Sequence, residues 1–279
     1  MKAAVTYKAW AAFVAVTAVC QAGLGDFPAD FFRFPVNAAV LLLWAVGLYV
    51  ACTERRDWAV TRLLLAPHST YALLAAFLAA CLVQGFCSQR LTATWWFVGI
   101  TAALLSHLLC ATVRRARAGR PRRVRFLLVH AGVLLAVGGG FWGAPDTQTV
   151  RMALVPGQTE RRAVSPEGRV AHMSRGLQLL RFRTETYPDG SPKRYEADIR
   201  TDDGAELTLA VNRPYALTWK DRLYLMATTP RYCVVEWVSQ PWIYVQAAGI
   251  LLLAAGCVLL FVQGTGRKRK EETQDDDMG

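Results

Sequence analysis

Six apolar runs divide this chain, and its one long polar stretch, residues 144–239, lies between the last two. The runs are Trp10–Leu24, Pro35–Cys52, Tyr71–Cys87, Thr94–Val113, Val124–Trp142 and Trp242–Val262. A bilayer core is crossed by about 20 predominantly apolar residues in a helix. Backbone polar groups inside it have no water to bond, so only helices and closed barrels survive there. The expected fold is therefore a polytopic α-helical membrane protein with about six transmembrane helices and one extracytoplasmic all-β domain inserted before the last helix. Composition agrees, with 53% hydrophobic and only 19% charged residues, less charge than a soluble chain carries.

Basic residues orient the spans, because Lys and Arg collect in short cytoplasmic loops. Lys2 and Lys8, then Arg55, Arg56 and Arg62, then the cluster from Arg114 to Arg125, then Arg267–Lys270 fall on one side. The opposite short loops carry only Arg33 and Arg90. Six spans with both termini cytoplasmic accommodate every cluster. The expected domains are helices one to five over 1–143, a periplasmic β-rich domain over 144–240, a last helix over 241–263 and a cytoplasmic charged tail over 264–279. The expected location is the bacterial inner membrane. The net charge of +11 is then a topology signal answered by membrane lipid, and no nucleic-acid partner is expected. Lys2 and Lys8 ahead of an apolar run also suit a signal peptide.

The polar stretch reads as strands. Tyr195, Ala197 and Ile199 alternate with charged neighbours, as do Leu180, Phe182 and Thr184, then Leu207, Leu209 and Val211. This is the period of a half-buried strand. Turn residues separate the runs, at Tyr187–Pro192 and at Asp202-Asp203-Gly204, and a further strand covers Leu223–Ala227. Antiparallel hairpins with one wet face follow.

Seven cysteines contain no C-x-x-C pair, so a thioredoxin-type dithiol has no basis. They read as small buried hydrophobes. The Gly138-Gly139-Gly140 run suggests close helix packing, and Trp10, Trp95, Trp96, Trp142 and Trp242 an interfacial belt.

Of four histidines, two lie within spans, where an ionisable side chain is costly and points to function. His130 is five residues beyond Arg125, roughly 8 Å above the basic interface at helical rise. His107 precedes Arg114 by seven residues on the neighbouring antiparallel span, roughly 10 Å above the same interface. The two imidazoles share one depth. Neutral imidazole suits haem iron, and a bond to a helix carbonyl is the plainer alternative. His68 follows Pro67 at a helix start, and His172 reads as a surface-loop residue. No H-E-x-x-H motif occurs, which argues against a hydrolytic metal centre.

Four short motifs carry a resemblance. They are Phe126…His130-Ala131-Gly132, Tyr187–Pro192 with Tyr195, Val211-Asn212-Arg213-Pro214, and Gln240-Pro241-Trp242-Ile243-Tyr244 opening the last span. In this order, over residues 70–263, the chain resembles the ResB-like proteins of system II cytochrome c biogenesis. The resemblance implies a membrane complex with a tryptophan-rich partner of the CcsA/ResC type, which carries haem across the membrane and presents it to apocytochrome c. It also implies His130 as an axial ligand of transiently held haem b, the second ligand coming from a partner histidine or from His107. Covalent attachment belongs to the partner, so this chain is expected to hold no catalytic residues of its own. Two features depart from the pattern: Trp219-Lys220-Asp221-Arg222 stands where a glycine is expected, and His107 is additional. A stable haem b electron-transfer protein and a haem-free membrane scaffold or receptor are the competing expectations.

Overall fold

The computed structural model describes residues 2–86, 91–118, 123–189, 192–228 and 231–263. Cys87, Arg90, Arg120, Arg122, the Gly190-Ser191 turn and the tail from residue 264 lie outside the described residues. The chain forms two compact units, Met1–Pro145 with Tyr244–Gly279, and Asp146–Ile243.

The first unit is helical: α1 (Ala3–Leu24), α2 (Val36–Glu54), a short α3 (Ala59–Leu64), α4 (Pro67–Phe86), α5 (Trp95–Arg117), α6 (Arg123–Gly143) and α7 (Ile243–Gln263). All but α3 are long and apolar enough to cross a membrane. Helix α5 is central and packs against α1, α2, α3, α4 and α6. Small residues allow this approach: a Cβ on Gly99 would come within 2.9 Å of Thr17 Cγ2. Side-chain hydrogen bonds also tie the helices together. Trp10 Nε1 donates to Ser69 Oγ at 2.9 Å, and Trp44 Nε1 to Ser106 Oγ at 2.9 Å. Trp10 is only 8% exposed, so it is a packing residue and not part of an interfacial belt.

Glycines set the α6–α7 contact. A Cβ on Gly132 would lie 2.5 Å from Leu253 N, and one on Gly256 would lie 2.9 Å from Val129 N. Of the Gly138–Gly140 run only Gly139 meets α7, at Gln246 Cγ, while a Cβ on Gly138 or Gly140 would touch nothing. The sequence reading thus identified the packing device but centred it on the wrong residues. Gly132 and Gly139 on α6, like Gly249 and Gly256 on α7, are seven residues apart, which keeps them on one stripe of each helix.

Cys52 at the end of α2 and Cys110 on α5 are joined as a disulfide, with Cα atoms 5.9 Å apart. This corrects the reading of both as simple hydrophobes, because pairing across 58 residues of separation leaves no signature in spacing. Cys233, by contrast, is a buried core residue whose thiol burial pushes up to about 11, so it stays protonated and inert at neutral pH. A non-reducing digest should recover Cys52 and Cys110 in one linked species. Iodoacetamide should modify that pair only after reduction, and Cys233 only after unfolding.

The second unit is a single antiparallel sheet of eight strands in the order β5-β4-β3-β2-β1-β8-β7-β6. The strands are β1 (Gln148–Leu154), β2 (Thr159–Val164), β3 (Val170–Thr186), β4 (Pro192–Thr201), β5 (Glu206–Ala210), β6 (Tyr215–Ala216), β7 (Asp221–Thr228) and β8 (Cys233–Ser239). The sheet curls until β4 and β5 approach β7. Inside the curl lie Met152, Leu154, Leu177, Leu179, Ala197, Ile199, Leu209, Leu223, Val235 and Trp237. Register explains the selection: Leu179 pairs with Ile199, Ile199 with Leu207, and Ala197 with Leu209. A bulge between Leu179 and Arg181 switches faces mid-strand. Leu179 therefore enters the core in place of the expected Leu180. His172 sits exposed on β3 opposite Arg162, on a strand and not in a loop.

The wet face is laced with ion pairs. Arg181 and Arg183 both reach Asp198, Arg175 reaches Asp203 and Arg200 reaches Glu206, at 2.6–3.0 Å. Such exposed pairs add little stability each, yet they leave these guanidiniums already partnered.

Candidate functional site

The site begins with an elbow. Pro67 opens α4, a position where its fixed φ and missing N–H are tolerated, and α3 ends just before it. The last carbonyls of any helix lack an intrahelical donor. Here Leu63 O accepts from Ser69 Oγ, and Leu64 O accepts from Nδ1 of His107 on α5. A carbonyl can only accept, so Nδ1 carries the proton and Nε2 of the neutral ring is an acceptor. Thr70 Oγ1 on α4 fills that role at 2.9 Å. Both nitrogens of His107 are engaged, and the residue is 8% exposed.

His130 is held differently. Its Nδ1 donates to the carbonyl of Phe126, one turn earlier on α6, at 3.0 Å. That bond fixes the tautomer with the lone pair on Nε2, the arrangement found when imidazole binds a metal. Nε2 has no hydrogen-bond partner among the described residues. The ring stacks on Phe126 with centroids 3.6 Å apart and planes 22° apart, which fixes its orientation as well.

Both histidines line one cavity of about 590 Å³ between α4, α5 and α6, within the size range of small-molecule sites. Its walls are apolar, from Leu74, Leu104, Leu108, Ala111 and Phe126, and Thr70 adds a hydroxyl. Arg114 and Arg115, on the last turn of α5, complete the lining. Cations are favoured at that end of a helix by its dipole. Arg115 places its guanidinium carbon 5.5 Å from the Phe126 ring centroid. Sequence reading brought the two histidines to one depth. It missed Thr70 and treated the arginines as a topology signal alone. The α5–α6 connection is short, so the end of α5 had to face the start of α6, and that signal was available.

The arrangement can do three things chemically. It offers one unengaged imidazole nitrogen, a largely apolar chamber and two cations on its lining. Among the described residues no group of three or more His, Cys, Asp or Glu could hold a bare metal ion.

Residues 114–233 match the model of the ResB-like family. No curated protein matches the chain. Among solved structures the chain is similar to "Cytochrome c Heme Lyase CcmF", with 17% identity and a TM-score of 0.40, over 80% of this chain and 38% of that one. This chain thus spans well under half the length of that protein. The matched stretch, Arg114 to Cys233, contains His130 and both cavity arginines but not His107.

Proposed function

We propose that this chain is a subunit of a membrane cytochrome c assembly complex, holding haem b in its helical bundle for delivery to apocytochrome c. The ResB-like match supports a role in cytochrome c biogenesis, and six helices able to cross a membrane support residence in one. The observation that carries the haem assignment is the free Nε2 of His130 on an apolar cavity wall.

The residues present fit haem. His130 would hold the iron through Nε2, its tautomer set by the Phe126 carbonyl. Leucines and Phe126 supply walls for the macrocycle. Haem bound there supplies a redox-active iron. The chain's own residues orient the ligand nitrogen and exclude water. A histidine of the tryptophan-rich CcsA/ResC-type partner would supply the other ligand. His107 is the alternative and would first have to surrender its hydrogen bond from Thr70. The β unit lies on the periplasmic side of the inner membrane and binds the partner, the apocytochrome or both. Attachment chemistry resides in the partner.

The test is co-purification with that partner and a visible spectrum of wild type against His130→Ala. The wild-type complex should show six-coordinate haem. The variant should lose most of that signal and regain it with added imidazole, and cytochrome c maturation should fall with it. Stoichiometric haem in the isolated chain would favour a stable electron-transfer protein. Normal haem and normal maturation in His130→Ala would refute the assignment.

A further inference from the structure

We propose that Arg114 and Arg115 form the carboxylate-binding end of the histidine cavity and take the propionates of the haem, an inference that rests on the haem reading above. The two arginines line the same chamber as His107 and His130. On the β unit, by comparison, Arg151, Arg175, Arg181, Arg183 and Arg200 each have a carboxylate within 3.0 Å. Arg114 and Arg115 have no acidic partner among the described residues. Within Arg115 the Nε–H is buried without any acceptor.

A buried donor that satisfies nothing is expensive, and Arg115 carries one, while Arg114 is exposed beside it on the cavity lining. An anion brought by the ligand removes that penalty. Guanidinium suits this task because its planar fork matches a carboxylate. Position is fixed too, since Arg115 lies over Phe126 and Phe126 stacks on His130. One stack thus relates the cation to the ligating imidazole. The chamber is therefore built for an amphipathic ligand, flat and apolar in its body and anionic at one end. Phosphates of lipid headgroups could meet the same cations, but they would leave the apolar chamber and the open imidazole unexplained.

The test uses the full-length chain in nanodiscs of phosphatidylcholine. Metal-free protoporphyrin IX and its dimethyl ester are titrated by fluorescence, which separates carboxylate recognition from iron ligation. Wild type should bind the free acid on the order of tenfold more tightly, the expected scale of charge-assisted hydrogen bonds. The double variant Arg114→Ala, Arg115→Ala should lose the preference, whereas His130→Ala should keep it. Equal binding of acid and ester by wild type leaves the arginines to lipid headgroups and overturns the proposal, whether or not the double variant folds. Haemin titration in parallel isolates the other failure. A haemin spectrum indifferent to His130→Ala refutes iron ligation while the acid preference stands. Binding of neither porphyrin overturns the propionate proposal, while the haem reading is decided by the spectrum of the co-purified complex.

Discussion

Gly249→Ala is expected to separate α7 from α6 and to cost the helical unit about 3 kcal/mol or more, at or beyond the upper end of ordinary overpacking. A Cβ at this position would meet the Gly132 carbonyl oxygen at 2.7 Å and the Leu135 carbonyl carbon at 2.8 Å. Both are backbone atoms, so no side-chain rotation can relieve the collision. Gly132→Ala meets the same helix from the other side and should behave alike. Gly256→Ala should cost less, since it meets one backbone atom, Val129 N at 2.9 Å, where all three neighbours at Gly249 are backbone. Gly139→Ala should be mild, its nearest neighbour being the Gln246 side chain at 3.0 Å. Gly138→Ala and Gly140→Ala meet open space and should be neutral or slightly stabilising, because alanine is the better helix former. Size-exclusion profiles and thermal melts of the detergent-solubilised series read this ranking. A wild-type profile for Gly249→Ala alongside a damaged Gly138→Ala would contradict the packing. The consequence extends to the cavity. His130 and Gly132 are two residues apart, about 200° around α6, so the helix that presents His130 to the chamber is braced by α7 on its opposite face.

This pairing shows what a sequence does and does not disclose. The apolar runs disclose the spans because bilayer thickness sets their length. Alternation discloses β4, where Ala197 and Ile199 both point inward. It fails in β3, since a bulge between Leu179 and Arg181 reverses the phase without altering composition. It also fails in β2, where Thr159–Val164 contributes only Ala163 to the core among charged neighbours. Helical rise places His107 and His130 at one depth. The hydrogen bonds that distinguish them depend on the Leu64 carbonyl, 43 residues from His107 in sequence, and on an elbow of too few residues to generate a periodic signal. The disulfide of Cys52 and Cys110 is equally a product of which helices meet.

Asp221→Ala should loosen the end of the sheet where β7 and β8 pair, by roughly 2–4 kcal/mol, the cost of stranding buried donors. Asp221 is 8% exposed and lies within the stretch where a glycine is expected from the family resemblance. Its carboxylate has structural work of its own. Oδ1 accepts from Nε1 of the core residue Trp237 at 3.1 Å, and Oδ2 accepts from Thr218 Oγ1 at 2.6 Å. Thr218 Oγ1 in turn accepts from the backbone N–H of Asp221 at 3.1 Å, closing the turn that starts β7. Burial by itself would raise the Asp221 carboxyl. Hydrogen bonds from Thr218, Trp237 and Ser239 outweigh it and hold the group below the ordinary carboxylate range. A carboxyl depressed in the folded state contributes stability that is complete above its unfolded value, near pH 4. That contribution is lost as pH falls through the folded value. Hydrogen-exchange protection factors of peptides spanning 221–228 and 233–239 should therefore drop in acid for wild type. Asp221→Asn keeps an acceptor for Trp237 but cannot titrate, so it should start lower at pH 7 and fall less steeply. Asp221→Ala should lower protection in both strands about 30-fold or more at pH 7, as its free-energy cost requires, while peptides of α1–α6 keep wild-type values. Unchanged exchange in β8 would mean that Trp237 does not depend on this carboxylate.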